Sequence, residues 1–568
     1  MIQTARRVET INIMIIVLLL SACNSGNSDP PAAGTSGGTS VGSSSSGVSS
    51  SSSSSSSGGT GTVVSATTDV LTYHNDAMRT GQNLTETFLT PANVTSATFG
   101  KLWTLAADDP VDATPLVATQ VTIGGSAHNV VYVASEHDTV YAYDADTGSL
   151  LAHVSLLGAG ETPSDTHSCS QVQPEIGVTA TPVIDRSIGP NGTLFIVAMS
   201  ENSSGSYFQR LHALDLATLA DRITPVVIQA TAPGSGANSV SGVLTFNAAR
   251  YKERGALLAA NGQIYTVWAS HCDNDPYNGW IIAYNETTLA QTAVLNYTPN
   301  GTRGAIWNVA GLAADSAGAL YGLAGNGTFD TALTASGFPA QSDFGNAVLK
   351  VAAGASSLSV ADYFAAPNTV AESTGDVDLG SGSPMLLPDQ TDAGGNTRHL
   401  LIGAGKDGNV LLLNRDSLGK FNATSLAYQT LSGELSGGLF SAFAYFNGSV
   451  YVADVGGTLK AFTLSHAQLS ATPTSQSTAT FARPGSSPAV SANGTSDGIV
   501  WAVVSAMGAP AVLHAYNPAN LQVEYYNSTQ AAASRDAFGN GEKFITPVIA
   551  NGKVFIGTPT GVAVFGLL

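Results

Sequence analysis

Residues 129–151 read NVVYVASEHDTVYAYDADTGSLL, and the phrase returns in blurred form as NGQIYTVWASHCDNDPYNGWIIAYNETTL from Asn261, NGSVYVADVGGTLKAFTLSHAQL from Asn447 and NGKVFIGTPTGVAVF from Asn551. Each copy holds two short runs of Val, Ile, Tyr and Ala around a polar or glycine-rich break, the pattern of two strands joined by a loop. Outward from this core, a Ser/Thr-Pro step opens a preceding strand at Thr114-Pro115, Thr181-Pro182, Ser383-Pro384, Ser487-Pro488 and Thr546-Pro547. Asn-Gly at 261, 447 and 551 then supplies a two-residue hairpin turn, since both residues tolerate positive φ. A last, irregular strand completes the unit. The repeat is therefore a four-stranded meander of roughly 50 to 70 residues, too small to bury its faces without neighbours on both sides.

Units open near Ala113, Ala180, Arg254, Ile306, Gly382, Gly438, Ser486 and Ile545, which predicts eight. The last has room for only three strands before Leu568, while a strand over Lys101–Ala106 belongs to no unit. Pairing the two closes a ring and buries both free sheet edges. The expected fold class is all-β: an eight-bladed propeller of four-stranded antiparallel blades over residues 63–568, with an N-terminal strand completing the last blade.

Before that domain, Arg6 and Arg7 precede an apolar run over Ile11–Leu20 that is too short to span a bilayer and reads as an export signal over residues 1–22. Residues 23–62 include an unbroken serine run, Ser49–Ser57, with no apolar surface to bury, and read as a disordered tether with a reach of roughly 35 Å. The net charge is −19, and no basic stripe interrupts it, which argues against nucleic-acid or anionic-membrane binding.

Leu20-Ser21-Ala22-Cys23 resembles a bacterial lipobox. The resemblance implies cleavage before Cys23, lipid attachment to that residue and, with Asn24 where a retention signal would carry Asp, an outer-membrane destination. AYDADTG at 142–148 is similar to the repeat of pyrroloquinoline-quinone-type eight-bladed propellers, in which an Ala-x-Asp-x-x-Thr-Gly step is followed by a docking Trp. TYHNDAMRTGQNLTETFLTPANV from Thr72, with Lys101-Leu102-Trp103 after it, looks like the segment by which quinoprotein dehydrogenases enter their first blade. There are departures. Ala152-His153 stand where the docking Trp would follow AYDADTG, and the sequence has neither a Cys-Cys pair nor a C-x-x-C-H haem motif.

In a propeller, the loops between second and third strands and the crossings between blades emerge on one face around the central channel. Within blades this face collects Glu136, His137 and Asp138, then Glu201, His271, Cys272 and Asp273, Asn326, and Lys406-Asp407. The crossings add Glu175, Arg250, Lys252, Arg254, Trp307, Asp378 and Lys543. Glu136-His137-Asp138 reads first as a polar turn; a His between two carboxylates could bind a metal, but the usual ligand spacing is missing. His271-Cys272-Asp273 reads either as a thiol beside its base or as half of a disulfide. A Cys169–Cys272 bond is expected, because both residues fall on same-face loops of adjacent blades in an oxidising compartment. Trp268, Trp280 and Trp307 read as blade packing before ligand platform.

The ligand-binding candidates are thus Glu136, His137, Asp138, Glu175, Arg254, His271, Asp273, Trp307, Asp378, Lys406 and Lys543, with no catalytic residue assigned. The leading expectation is a monomeric, lipid-anchored envelope protein whose loop face binds a small molecule or an envelope protein partner, without cofactor or catalysis. The resemblance implies an alternative, a dehydrogenase holding pyrroloquinoline quinone and calcium with Glu175 or Asp378 as oxygen ligands. A further alternative is an outer-membrane assembly scaffold that takes a polypeptide along a blade edge.

Overall fold

The Asn-Gly pairs make the turns their sequence requires: Asn261, Asn447 and Asn551 have φ of 55°, 46° and 52°, and each following glycine is also positive. These turns and their glycine-rich counterparts fold the chain into successive meanders. In the computed structural model, which describes residues 68–568, the meanders form eight blades around one axis. The export signal, Cys23 and the serine tether lie outside the described residues.

Blade 1 shows the plan, with strands Leu116–Ile123, Ser126–Ala134, Thr139–Asp144 and Leu150–Ser155 paired antiparallel in sequence order. The innermost strands of blades 2 to 8 begin at Val183, Leu258, Ala313, Met385, Ala444, Ala489 and Val548, each a few residues after a predicted opening. Blade 8 supplies three strands ending in Gly561–Leu567, and Phe99–Ala106 pairs antiparallel with that last strand as the fourth. The predicted closing strand is therefore present and starts two residues earlier than expected. One six-residue α-helix, Thr369–Thr374, lies in the crossing between blades 4 and 5.

The Ser/Thr before three of the five prolines has a shared structural role. Its hydroxyl is buried at the axis and accepts a backbone N–H from the blade before: Thr181 from Thr114, Ser383 from Ala310, Ser487 from Ala442. Apolar side chains then fill the seams between adjacent blades. Trp268 and Trp280 are fully buried between blades 2 and 3 with Phe246 and Tyr251 against them. Phe99, Trp501, Phe538 and Phe565 fill the seam between blades 7 and 8. The seam between blades 8 and 1 places the Trp103 indole on Gly148, where any side chain would strike Nε1. The docking tryptophan missing after AYDADTG is thus supplied by the closing strand of the neighbouring blade.

The segment Val70–Asn83 winds once around the axis, bonding to one blade after another. Val70 pairs with Val117 of blade 1, and the carbonyls of Leu71, Ala77, Met78, Thr80 and Gly81 accept N–H groups of Ile184, Ala314, Leu386, Tyr445 and Val490 in blades 2, 4, 5, 6 and 7. Asn83 donates to the Ile549 carbonyl of blade 8 at 2.9 Å, and Arg79 Nη2 to the Leu257 carbonyl beside blade 3 at 3.2 Å. Arg79, fully buried, also holds Leu312 O, Thr72 Oγ1 and Tyr73 O at 2.9, 2.8 and 3.0 Å. This hub, with Tyr73 directed at Ser487 and Thr546, forms the floor of the central channel.

Candidate functional site

Above that floor, on the loop face, the crossings converge on a cavity of about 190 Å³. Five cations line it. Lys252 and Arg254 come from the crossing into blade 3, Lys406 from the loop within blade 5, Arg483 from the crossing into blade 7 and Lys543 from the crossing into blade 8. Asp273, Asp376 and Asp378 are the carboxylates in the same lining, and Trp307, Phe440 and Phe544 its aromatic walls. A void of about 10 Å³ below it is lined by Tyr73 of the hub, Asp112, Arg254, Lys543 and Phe544.

The charges divide into a neutralised side and an open side. Lys406 Nζ lies 2.5 Å from Asp378 Oδ2 and 3.0 Å from Asp376 Oδ1, and the Asn326 N–H donates to Asp378 Oδ1. Burial raises the proton affinity of Asp378, and Lys406 restrains it. On the other side Lys252, Arg254, Arg483 and Lys543 form no ion pair among the described residues. Arg254 lies over the Phe544 ring at 3.8 Å and Arg483 over Phe440 at 4.3 Å, cation–π contacts that leave N–H groups of each guanidinium free of ion pairs. Arg254 Nε is buried without a hydrogen-bond partner. Burial pulls Lys252 down to about 8, with Arg254 and Lys543 pressing the same way; Arg254 and Lys543 are lowered too. A chain of net charge −19 has thus gathered buried positive charge in one place.

Of the sequence candidates, Arg254, Asp273, Trp307, Asp378, Lys406 and Lys543 line this cavity together. Glu136, His137 and Asp138 do not act as one group, because the turn sends them in three directions, with Asp138 at φ 56°. Glu136 lies buried beneath the cations, its Oε2 accepting Gly177 N–H at 2.9 Å and Thr179 Oγ1–H at 3.0 Å. His137, half exposed, pairs through Nδ1 with Glu175 Oε1. Asp138 is buried with both carboxyl oxygens unpartnered, and burial pushes it well up, towards the neutral acid. His271 is buried against His167, ring centroids 4.1 Å apart, and burial pulls it down to about 2, so it is neutral. The Cys169–Cys272 disulfide is formed, Cα atoms 5.6 Å apart, and Cys272 stands in the cavity wall.

Arg483, Phe440, Phe544, Asp376 and Asp112 were not singled out from sequence. A positional signal existed: Arg483 and Lys543 each stand three or four residues before the Ser/Thr-Pro step that opens the next blade. Trp307 and Phe440 face each other at 6.1 Å, at the equivalent level of two other crossings.

No protein-family model matches the chain, and no curated protein does. Solved structures do resemble it. A quinohaemoprotein alcohol dehydrogenase from Pseudomonas putida HK5 is 14% identical, with a TM-score of 0.56 over 88% of this chain and 80% of that one. A quinohaemoprotein alcohol dehydrogenase from Comamonas testosteroni is 14% identical, with a TM-score of 0.55 over 89% and 81%. A europium-containing methanol dehydrogenase is 11% identical, with a TM-score of 0.56 over 88% and 98%. At these identities the likeness establishes the fold, an eight-bladed β-propeller of small antiparallel sheets.

Proposed function

We propose that the loop-face cavity binds a planar, carboxylate-bearing ligand, pyrroloquinoline quinone being the named candidate, and that the chain is a quinone-dependent dehydrogenase. The observation that carries this reading is the set Lys252, Arg254 and Lys543, buried or half-buried, with the exposed Arg483 at the rim: cations without ion pairs among the described residues, around a cavity with aromatic walls. Asp112 and Glu136 lie near Lys252 and Arg254, and Asp112 near Lys543, without an ion pair to any of them, and buried charge is costly until it is paired, so the set calls for an anion. Support for a quinone over other anions comes from the shared fold with quinohaemoprotein dehydrogenases. This places the dehydrogenase alternative drawn from sequence ahead of the leading, non-catalytic reading.

The residues fit such a ligand in part. Arg254 and Arg483 carry guanidinium groups suited to bidentate carboxylate binding, and Trp307, Phe440 and Phe544 offer faces to a ring. Calcium fits less well. Among the described residues no three His, Cys, Asp or Glu side chains gather as a metal centre, and Asp378 is already held by Lys406. No step is assigned to a metal. A bound quinone supplies a two-electron acceptor. The protein's own part is to clamp the ligand carboxylates with its cations and to exclude water with its aromatic walls. For the exported, lipid-anchored placement the support is the sequence around Cys23.

Calorimetric titration of the purified protein with the quinone, with and without calcium, tests the reading. Saturable binding is expected, weakened about 10- to 100-fold by Arg254→Ala, the loss of one charge-assisted carboxylate contact. A folded protein giving no binding heat under either condition would sink the proposal.

A further inference from the structure

Two acids beneath the cavity, Glu136 buried and Asp112 half-buried, have no part in clamping a ligand. Asp112 stands two residues before the Thr114-Pro115 step, and Glu136 in the loop between the second and third strands of blade 1. Asp112 Oδ1 and Glu136 Oε1 are both buried acceptors without a donor among the described residues. Buried carboxyl oxygens are rarely left so, and one proton held between two such oxygens would satisfy both at once.

The surrounding charges favour that arrangement. Lys252 and Arg254 face the pair from the crossing into blade 3, Lys543 and Glu542 from the crossing into blade 8, Asp109 from the pair's own crossing and Asp138 from the blade 1 loop. Three cations favour ionisation of one acid; burial and its neighbour's charge keep the other from following.

Resting on the anion-binding reading of the cavity, we propose that Asp112 and Glu136 share one proton and form the internal counter-charge of the site, so that seating an anion on Lys252, Arg254 and Lys543 draws a proton into the protein. The same cations cannot fully serve both the pair and a ligand. When the ligand takes their positive charge, the pair's hold on protons rises, and so does that of Lys252. Burial already places Glu136 up to about 8, with Asp112 raised as well, and Lys252 down to about 8, so the exchange falls in the mildly alkaline range. Both groups are pushed the same way by an anion: each gains protons on binding. The linkage follows, with affinity for the anion highest at neutral pH and falling as pH rises through about 8, by up to tenfold per unit for each proton taken up.

The experiment is calorimetry at pH 8 in buffers of different ionisation enthalpy, with pyrroloquinoline quinone and benzene-1,3,5-tricarboxylate as probes. Uptake of about half a proton to one proton per bound anion is expected. Glu136→Gln should cut that uptake by about half, leaving the share of Lys252, while Glu201→Gln, remote from the pair, leaves it intact. As a check that needs no ligand, infrared difference spectra of the unliganded protein across pH 7 to 9 should show the carbonyl band of a protonated carboxyl that Glu136→Gln shifts or removes. Anion binding without proton uptake, or uptake unchanged in Glu136→Gln, overturns the proposal and leaves the anion site standing. Failure of both probes to bind removes the anion site and this coupling with it; the infrared band then reports only whether the pair itself holds a proton.

Discussion

Replacing Arg79 by methionine tests the hub directly. The side chain is fully buried and holds the carbonyls of Tyr73, Leu257 and Leu312 at 2.9 to 3.2 Å, linking the hub to the approaches of blades 3 and 4. Burial lowers its pKa to about 10, so it remains charged at neutral pH. Methionine fills much of the same volume, so the cavity cost is small, but three carbonyls lose a charged donor. At about 1–1.5 kcal/mol each, near the low end for an unsatisfied buried acceptor, the loss is about 4 kcal/mol. A folded region of about 500 residues has a melting entropy of about 1 kcal/mol per kelvin, so the midpoint should fall by about 4 °C in differential scanning calorimetry. Arg79→Lys, with one charged donor group in place of the fork, should fall between parent and methionine variant. A methionine variant that melts within about 1 °C of the parent would refute the view that this residue ties hub to blades.

The Cys169–Cys272 bond closes a loop spanning 103 residues, so Cys169→Ser should cost roughly 4–5 kcal/mol, and a non-reduced digest of the parent should contain the linked peptide; two alkylatable thiols in the native protein would contradict it. Deleting residues 71–106 removes both the hub and the fourth strand of blade 8, and the product should aggregate, as size-exclusion chromatography would reveal. Cys23→Ser should abolish incorporation of labelled palmitate, and unchanged labelling would end the lipoprotein reading.

The features legible in the sequence were those fixed by local chemistry. Asn551-Gly552 must turn because both residues sit at positive φ, and the Thr181 hydroxyl before Pro182 ties two blades at the axis. The eight openings and the closing strand followed from such marks. What stayed hidden depends on pairs far apart in the chain. Trp103 docks on Gly148 from the blade before it, so a search just after the glycine found only Ala152 and His153. Glu136, His137 and Asp138 looked like one cluster because they adjoin in sequence, yet a turn separates neighbours and gathers strangers: Glu136 meets Asp112, and His137 meets Glu175. Arg483 became visible as a site residue only once the crossing into blade 7 was placed on the axis beside Phe440.

The winding of Val70–Asn83 around the axis also sets an order of events. Its last bond joins Asn83 to Ile549 across 466 positions of sequence, and the strand after it waits for Gly561–Leu567. Neither can be placed until blade 8 exists, so a chain cut short before that blade has seven meanders and no settled centre. Such long-range closure makes folding slow and late. On the proposed exported placement, in which the chain crosses a membrane through a narrow passage before folding, that delay is an advantage: the domain stays threadable until its final hairpin arrives.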